Sequence, residues 1–127
     1  MQPQPRGNPM NENRLYHYRA QVVSVYDGDT VRADIDLGLS IFVRDEPLRL
    51  SRINAPEIRG NERPAGLLAR DYLARRIQGR EVLLQTEKDN KEKYGRYLAE
   101  IWLPEDGGYV NINDELVARG LAEYRDY

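Results

Sequence analysis

The sequence predicts an α+β fold, mainly β: five short strands forming a small barrel, with two helices. Three observations predict it. Several short stretches alternate apolar and polar residues with a period of two, the mark of half-buried strands. One long helical stretch lies between the third and fourth of them, and a shorter one follows the fifth. Glycine, proline and Asp-Gly pairs punctuate the boundaries. Five strands with a helix between the third and fourth is the order of the OB-fold.

The elements follow in chain order. The segment YHYRAQVVSVY, from Tyr16, is rich in β-branched and aromatic residues and reads as a strand. After Asp27-Gly28-Asp29, the residues Val31, Ala33, Ile35 and Leu37 alternate with Arg32, Asp34 and Asp36, giving a strand with one buried face. LRLSRI, Leu48 to Ile53, is a third strand, stopped by Pro56. PAGLLARDYLARRIQG is a helix whose inward face holds Ala65, Leu68, Ala69, Tyr72, Leu73, Arg76 and Ile77. Pro64 suits its first turn and Gly79 its C-terminal end. EVLLQT and YLAEIWL are two further strands, joined by the charged loop EKDNKEKYGR. Asp106-Gly107-Gly108 marks a turn. Asn111 caps a short helix with Ile112 and Leu116 inward and Gly120 past its end. Residues 1–13, rich in Pro, Gln, Asn and Gly, read as a disordered tail ahead of one domain over 14–127.

Composition narrows the chemistry. There is no cysteine, so disulfides and thiolate metal sites are excluded, and a metal would need oxygen ligands or His17. The 19 Lys and Arg against 21 Asp and Glu give a net charge of −2. That is not the basic balance of a protein that holds long nucleic acid by charge alone. Phosphate binding would rest on a few placed arginines and a metal. No apolar run approaches the roughly 18 residues of a membrane span, so no membrane partner is expected. The first residues lack the apolar core of a secretory signal, so a cytoplasmic location is expected, with secretion left open. A monomer is expected.

Three segments carry the candidate chemistry. In DGDT, Asp-Gly is a common hairpin signal, yet the turn needs only one aspartate. Asp29 opens a strand on rigid backbone, where a hard cation finds oxygen ligands. In RLSRINAPE, Arg49 to Glu57, a guanidinium able to fork onto phosphate precedes Asn54, the Ala55 carbonyl and Glu57 around a fixed proline. In KEKYGRY the lysines read as a solvated face. Arg96 follows Gly95 at a strand start and so has a defined direction, and Tyr94 is placed to stack on a base or sugar. His17 reads as a strand surface residue, Trp102 as packing, Asp34 and Asp36 as solvated, and RRIQGRE as a solvated helix end.

Together, DGDT, RL…INAPE, KYGR and NDELVARGLA resemble the staphylococcal (micrococcal) nuclease-like, or thermonuclease, family, from about Tyr18 to Leu121. The resemblance implies an OB-fold barrel that cleaves DNA and RNA with Ca²⁺, leaving 3′-phosphate ends, with Mn²⁺ or Mg²⁺ as alternative cations. It implies that Asp29 binds the metal and that Asp27 supports it, with the Asn54 side chain and the Ala55 carbonyl at ligand positions. Arg49 and Arg96 fall at the phosphate-clamping positions, and Glu57 at that of the carboxylate that activates or orients water. Tyr94, with Lys93 beside it, falls at the substrate-binding position. Two departures stand out. The family's usual second metal-binding aspartate is Asn54 here, which lowers the site's negative charge and predicts weaker Ca²⁺ binding. The chain also ends soon after Gly120, where longer members carry a further helix. The alternative is a catalytically inactive OB-fold module that binds nucleic acid or protein; Asn54 favours it, and the retained Arg49, Glu57 and Arg96 oppose it.

Overall fold

The computed structural model describes residues 16–126, the side chains of 88–90 excepted, so the tail predicted over 1–13 lies outside the described residues. The chain runs β1 (His17–Asp27), β2 (Thr30–Gly38), β3 (Ile41–Leu50), β4 (Ile53–Asn54), α1 (Arg63–Ile77), β5 (Glu81–Lys91), β6 (Tyr97–Glu105), β7 (Gly108–Asn111), α2 (Ile112–Ala118) and β8 (Glu123–Tyr124). A single 3₁₀ turn, Gly60–Glu62, leads into α1.

Antiparallel pairing orders the main sheet β3-β2-β1-β5-β6-β7. A short parallel pairing of β3 with β6, Leu48 against Tyr97 and Leu50 against Ala99, then joins its two sides. This closes five strands into a barrel and removes the exposed edges that an open sheet would leave. The predicted five-stranded barrel with two helices is the architecture observed. The additions are three short strands, β4, β7 and β8, of which β4 and β8 pair with each other.

The interior follows the two-residue period. Val31, Ala33 and Ile35 on β2, Val82 and Leu84 on β5, and Ala99, Ile101 and Leu103 on β6 point inward and are buried. Each large aliphatic side chain so buried contributes about 1.5–3 kcal/mol. The long helix lies across β1 and buries Gly66, Ala69, Leu73 and Ile77. Its predicted face was too broad: Leu68 is 65% exposed, Ala65 is exposed, and Tyr72 and Arg76 are half-buried. Asn111 caps α2 as predicted, accepting from the Asp114 amide at 2.9 Å. Asn113, fully buried, donates to the carbonyls of Ser51 and Ala99 and accepts from the Ile101 amide, which fixes α2 against the barrel.

Three expectations are corrected. The third strand does not run through to Ile53: it ends at Leu50, and Arg52 adopts a left-handed φ of 67° before β4 resumes. Two hydrogen bonds explain the break, since the Leu50 amide bonds to the Asp29 carbonyl and the Ser51 amide to Ala99. The strand EVLLQT extends to Lys91, shortening the charged loop. The helix end RRIQGRE is not wholly solvated, because Arg76 forks onto Glu105 and Glu115 at 2.6–3.1 Å.

Candidate active site

The DGDT hairpin is a two-residue turn, with Asp27 paired to Thr30 and Asp29 inside the turn rather than on the strand. The Asp27 carboxylate accepts the Asp29 amide at 3.0 Å and so fixes the turn. Gly28 is required by packing. A Cβ there would stand 2.7 Å from both Ala55 Cβ and Ala69 Cβ, so α1 and the β4 segment close directly onto the turn. Gly66 serves the same end near the start of α1, where a Cβ would lie 2.1 Å from the Glu57 carbonyl oxygen. These two glycines let the helix press both halves of the site together.

Asp29 is 6% exposed and lies at the hub. Its Oδ2 accepts the Ala55 amide at 2.8 Å and faces Arg49 Nη2 at 3.2 Å. Its Oδ1 accepts the Thr30 hydroxyl at 3.2 Å, and Thr30 Oγ1 in turn accepts Arg96 Nη1 at 3.1 Å. Arg49 is itself 7% exposed and spends Nη1 on the Leu50 and Ile53 carbonyls. Its Nη2 also reaches Asn54 Oδ1 at 3.4 Å. Burial, together with the neighbouring Asp27 carboxylate, pushes the Asp29 carboxyl up to about 6 against the opposing pull of Arg49 and the Ala55 amide.

The second arginine is held by a residue that the sequence pattern did not single out. Glu92, its side chain 9% exposed, accepts the Arg96 amide and its Nε at 2.9 and 3.1 Å, pairs with Nη2 at 3.1 Å, and accepts the Tyr94 amide as well. The Arg96 guanidinium holds the Glu92 carboxyl below its usual value. The signal was visible as a glutamate four residues ahead of the arginine. Tyr94 is 72% exposed, with Lys93 Nζ 5.1 Å and Arg96 Cζ 5.5 Å from its ring.

The structure thus joins Asp27, Asp29, Thr30, Arg49, Asn54, Ala55 and Arg96 in one hydrogen-bonded network, with Tyr94 and Lys93 beside it. It places Glu57 differently. Its backbone is fixed by the Glu62 carboxylate on its amide at 3.0 Å and by Gly66 against its carbonyl, while its side chain is exposed. Among the described residues no three of His, Cys, Asp and Glu form a metal-holding group, so any cation here would rest on the oxygen set of Asp27, Asp29, Asn54 and Ala55. His17, Trp102, Asp34 and Asp36 lie outside the network. Trp102 donates to Gln85 at 3.0 Å, Asp34 accepts the Asp45 amide, and Asp36 accepts the Gly38 amide. No described helix is long and apolar enough to cross a membrane.

A family model described as staphylococcal nuclease homologue matches residues 47–127. A thermonuclease of Staphylococcus hyicus is 33% identical over 110 residues, 84% of this chain and 59% of that protein. A thermonuclease of Staphylococcus intermedius is 33% identical over 109 residues, with the same coverage. An uncharacterized protein of Methanocaldococcus jannaschii is 30% identical over 121 residues, covering 84% of this chain and 58% of its own length. The chain therefore spans less than two thirds of the relatives it matches.

Proposed function

Because the chain belongs to the family of staphylococcal nuclease homologues, we propose that it is a Ca²⁺-dependent nuclease that hydrolyses phosphodiester bonds of DNA and RNA. The observation that carries the reading is the network itself: two buried or half-buried arginines, Arg49 and Arg96, converge through Asp29 and Thr30 on one hairpin turn. A structural pair needs neither the second aspartate nor the raised Asp29 carboxyl.

The residues suit a hard cation. The donor set is oxygen only, and Asp29 is a buried carboxylate crowded by Asp27, the kind of group whose charge a divalent ion relieves. Asp29, Asp27, the Asn54 side-chain oxygen and the Ala55 carbonyl are the groups that would hold it. Bound there, the cation would supply positive charge against the phosphate. Arg96, with one hydrogen remaining on each of Nη1 and Nη2, forks onto the non-bridging phosphate oxygens, and Arg49 reaches them by trading its 3.4 Å contact to Asn54; both strengthen their grip as charge grows there. Their carboxylate and carbonyl partners hold them in place before substrate arrives, so little reorganisation remains for the transition state. Glu57, exposed on a backbone fixed by Glu62 and Gly66, takes the proton from the attacking water. As the water oxygen bonds to phosphorus, the bond to the 5′ oxygen breaks; that oxygen leaves as a hydroxyl with a proton from solvent, and a 3′-phosphate remains. Tyr94 stacks on the adjoining nucleotide and Lys93 faces its phosphate.

The test is cleavage of a labelled oligonucleotide with Ca²⁺, Mn²⁺, Mg²⁺ or chelator, followed by identification of the product ends. Cation-dependent cleavage leaving 3′-phosphates supports the reading. Binding of DNA without cleavage under every cation would replace it with the inactive-module reading, for which Asn54 is the specific observation.

A further inference from the structure

The nuclease reading uses one aromatic–cation pair, Tyr94 with Lys93, carried by the β5–β6 loop. A second pair stands on a different wall. Tyr26 lies at a bulge in β1: Val25 pairs with Val31 and Asp27 with Thr30, leaving Tyr26 as the extra residue one position before the DGDT turn. Bulges beside functional sites commonly re-aim a side chain. Here the ring is 51% exposed, and its hydroxyl accepts Arg59 Nη2 at 3.1 Å. Arg59 comes two residues after Glu57. The contact therefore ties the metal-side turn to the loop that carries the water-activating carboxylate.

The two arginines of the network, Arg49 and Arg96, are each ion-paired to a carboxylate. Arg59 and Arg63 are both exposed and have no carboxylate partner among the described residues, their hydrogen bonds going to the Tyr26 hydroxyl and the Ile58 carbonyl. Arg59, ahead of the 3₁₀ turn, and Arg63, the first residue of α1, therefore offer guanidinium hydrogens to an anion on the segment that carries Glu57, while the Glu62 carboxylate between them is turned to the Glu57 amide. An exposed ring next to them adds a stacking face that accepts any base.

We propose that Tyr26 and Arg59, with Arg63 behind them, form a second nucleotide subsite. It grips the phosphate and base adjoining the cleaved bond on the Glu57 side, as Lys93 and Tyr94 do on the Arg96 side. The proposal rests on the nuclease reading and deepens it. The substrate is a polynucleotide held on both sides of the reacting phosphate, so cleavage is favoured within a chain over removal of terminal residues. Arg59 and Tyr26 are binding residues, not catalytic ones: they act on affinity for long substrates.

The test compares Arg59→Gln and Tyr26→Leu with wild type on two substrates: a 20-nucleotide single strand and a nitrophenyl diester of a single nucleotide, both in Ca²⁺. Both residues are exposed, so thermal midpoints within a few degrees of wild type check that the variants fold. The expected result is a rise of about tenfold in KM for the oligonucleotide in each variant, with kcat within twofold. Turnover of the small diester should not change. Oligonucleotide affinity, read separately by fluorescence anisotropy across a salt series, should show a slope shallower by about one in Arg59→Gln. An unchanged oligonucleotide KM and salt slope would overturn the subsite, as would an equal loss on both substrates. If wild type cleaves neither substrate, the nuclease reading fails, and the anisotropy series decides the subsite alone. Wild type that binds no oligonucleotide, or a variant slope equal to wild type, overturns it there.

Discussion

Two of the carboxylate–guanidinium clusters on this small domain are tuned in opposite directions. At the DGDT turn, burial and Asp27 push Asp29 up to about 6 although Arg49 stands 3.2 Å away. Under α1, Arg76 forks onto Glu105 and Glu115, Tyr72 donates to Glu115 at 2.6 Å, and both glutamates are held below their ordinary values by Arg76. The difference lies in what each arginine has to spare. Arg49 gives Nη1 to two backbone carbonyls and shares Nη2 between Asp29 and the Asn54 side chain, while Asp27 crowds Asp29; Arg76 gives all three nitrogens to carboxylates. One cluster retains uncompensated negative charge, which the proposed cation would relieve, while the other is saturated and braces helix against barrel. Their effects on stability have opposite signs. Glu105 and Glu115 stabilise the fold fully above about pH 4.5, and that contribution is lost as the pH falls through their lowered values. Asp29 favours the fold below its unperturbed 3.8, and that contribution is lost as the pH rises to about 6.

The largest effect that would break this contrast is on activity. Arg96→Gln removes one preorganised donor and should lower kcat on DNA by about 10²–10³-fold. Arg96 is as buried as Arg76 and its loss leaves Glu92 without a guanidinium, so the urea midpoint should fall as well; the loss of kcat is what sets it apart. An unchanged kcat would make Arg96 a brace like Arg76. The converse change, Arg76→Met, leaves Glu115 without its guanidinium and should destabilise by about 1.5–3 kcal/mol in urea titrations at pH 7. Its kcat should match wild type. Its stability should also fall less steeply than wild type between pH 5 and 3, since the lowered glutamates are what produces that limb. A smaller effect sharpens the metal side. Asn54→Asp restores a negative charge beside Asp29 and should tighten Ca²⁺ binding by about tenfold in calorimetry. Unchanged affinity would remove residue 54 from the ligand set. The smallest effect belongs to neither cluster: Leu68→Gln, on the exposed face of α1, should shift stability by less than about 0.5 kcal/mol.

Much of this was legible in the chain. The period-two runs gave the barrel strands, Asn111 and Gly120 gave the limits of α2, and DGDT, Arg49, Asn54 and Arg96 all met in one network. What stayed hidden was set by contacts distant in sequence. The break after Leu50 comes from the Asp29 carbonyl, and the barrel closes through a three-residue parallel pairing that no local pattern announces. Leu68 looked buried because helical spacing gives a face and not its width. Gly66 stands in a helix interior, where glycine costs about 1 kcal/mol relative to alanine; that cost was the available sign of a close approach, here to the Glu57 carbonyl. Glu92 was hidden for the opposite reason, as one charge among many in a loop that looked solvated.

The central claim is that chemistry resides at the DGDT network and bracing under α1. The most direct measurement is Ca²⁺-dependent cleavage of single-stranded DNA by Glu57→Gln, beside its thermal midpoint. The account predicts a loss of about 10²–10⁴-fold in rate with the midpoint unmoved, since the Glu57 carboxylate is exposed and makes no ion pair among the described residues. Full cleavage by Glu57→Gln, or none by wild type under any cation, would contradict it.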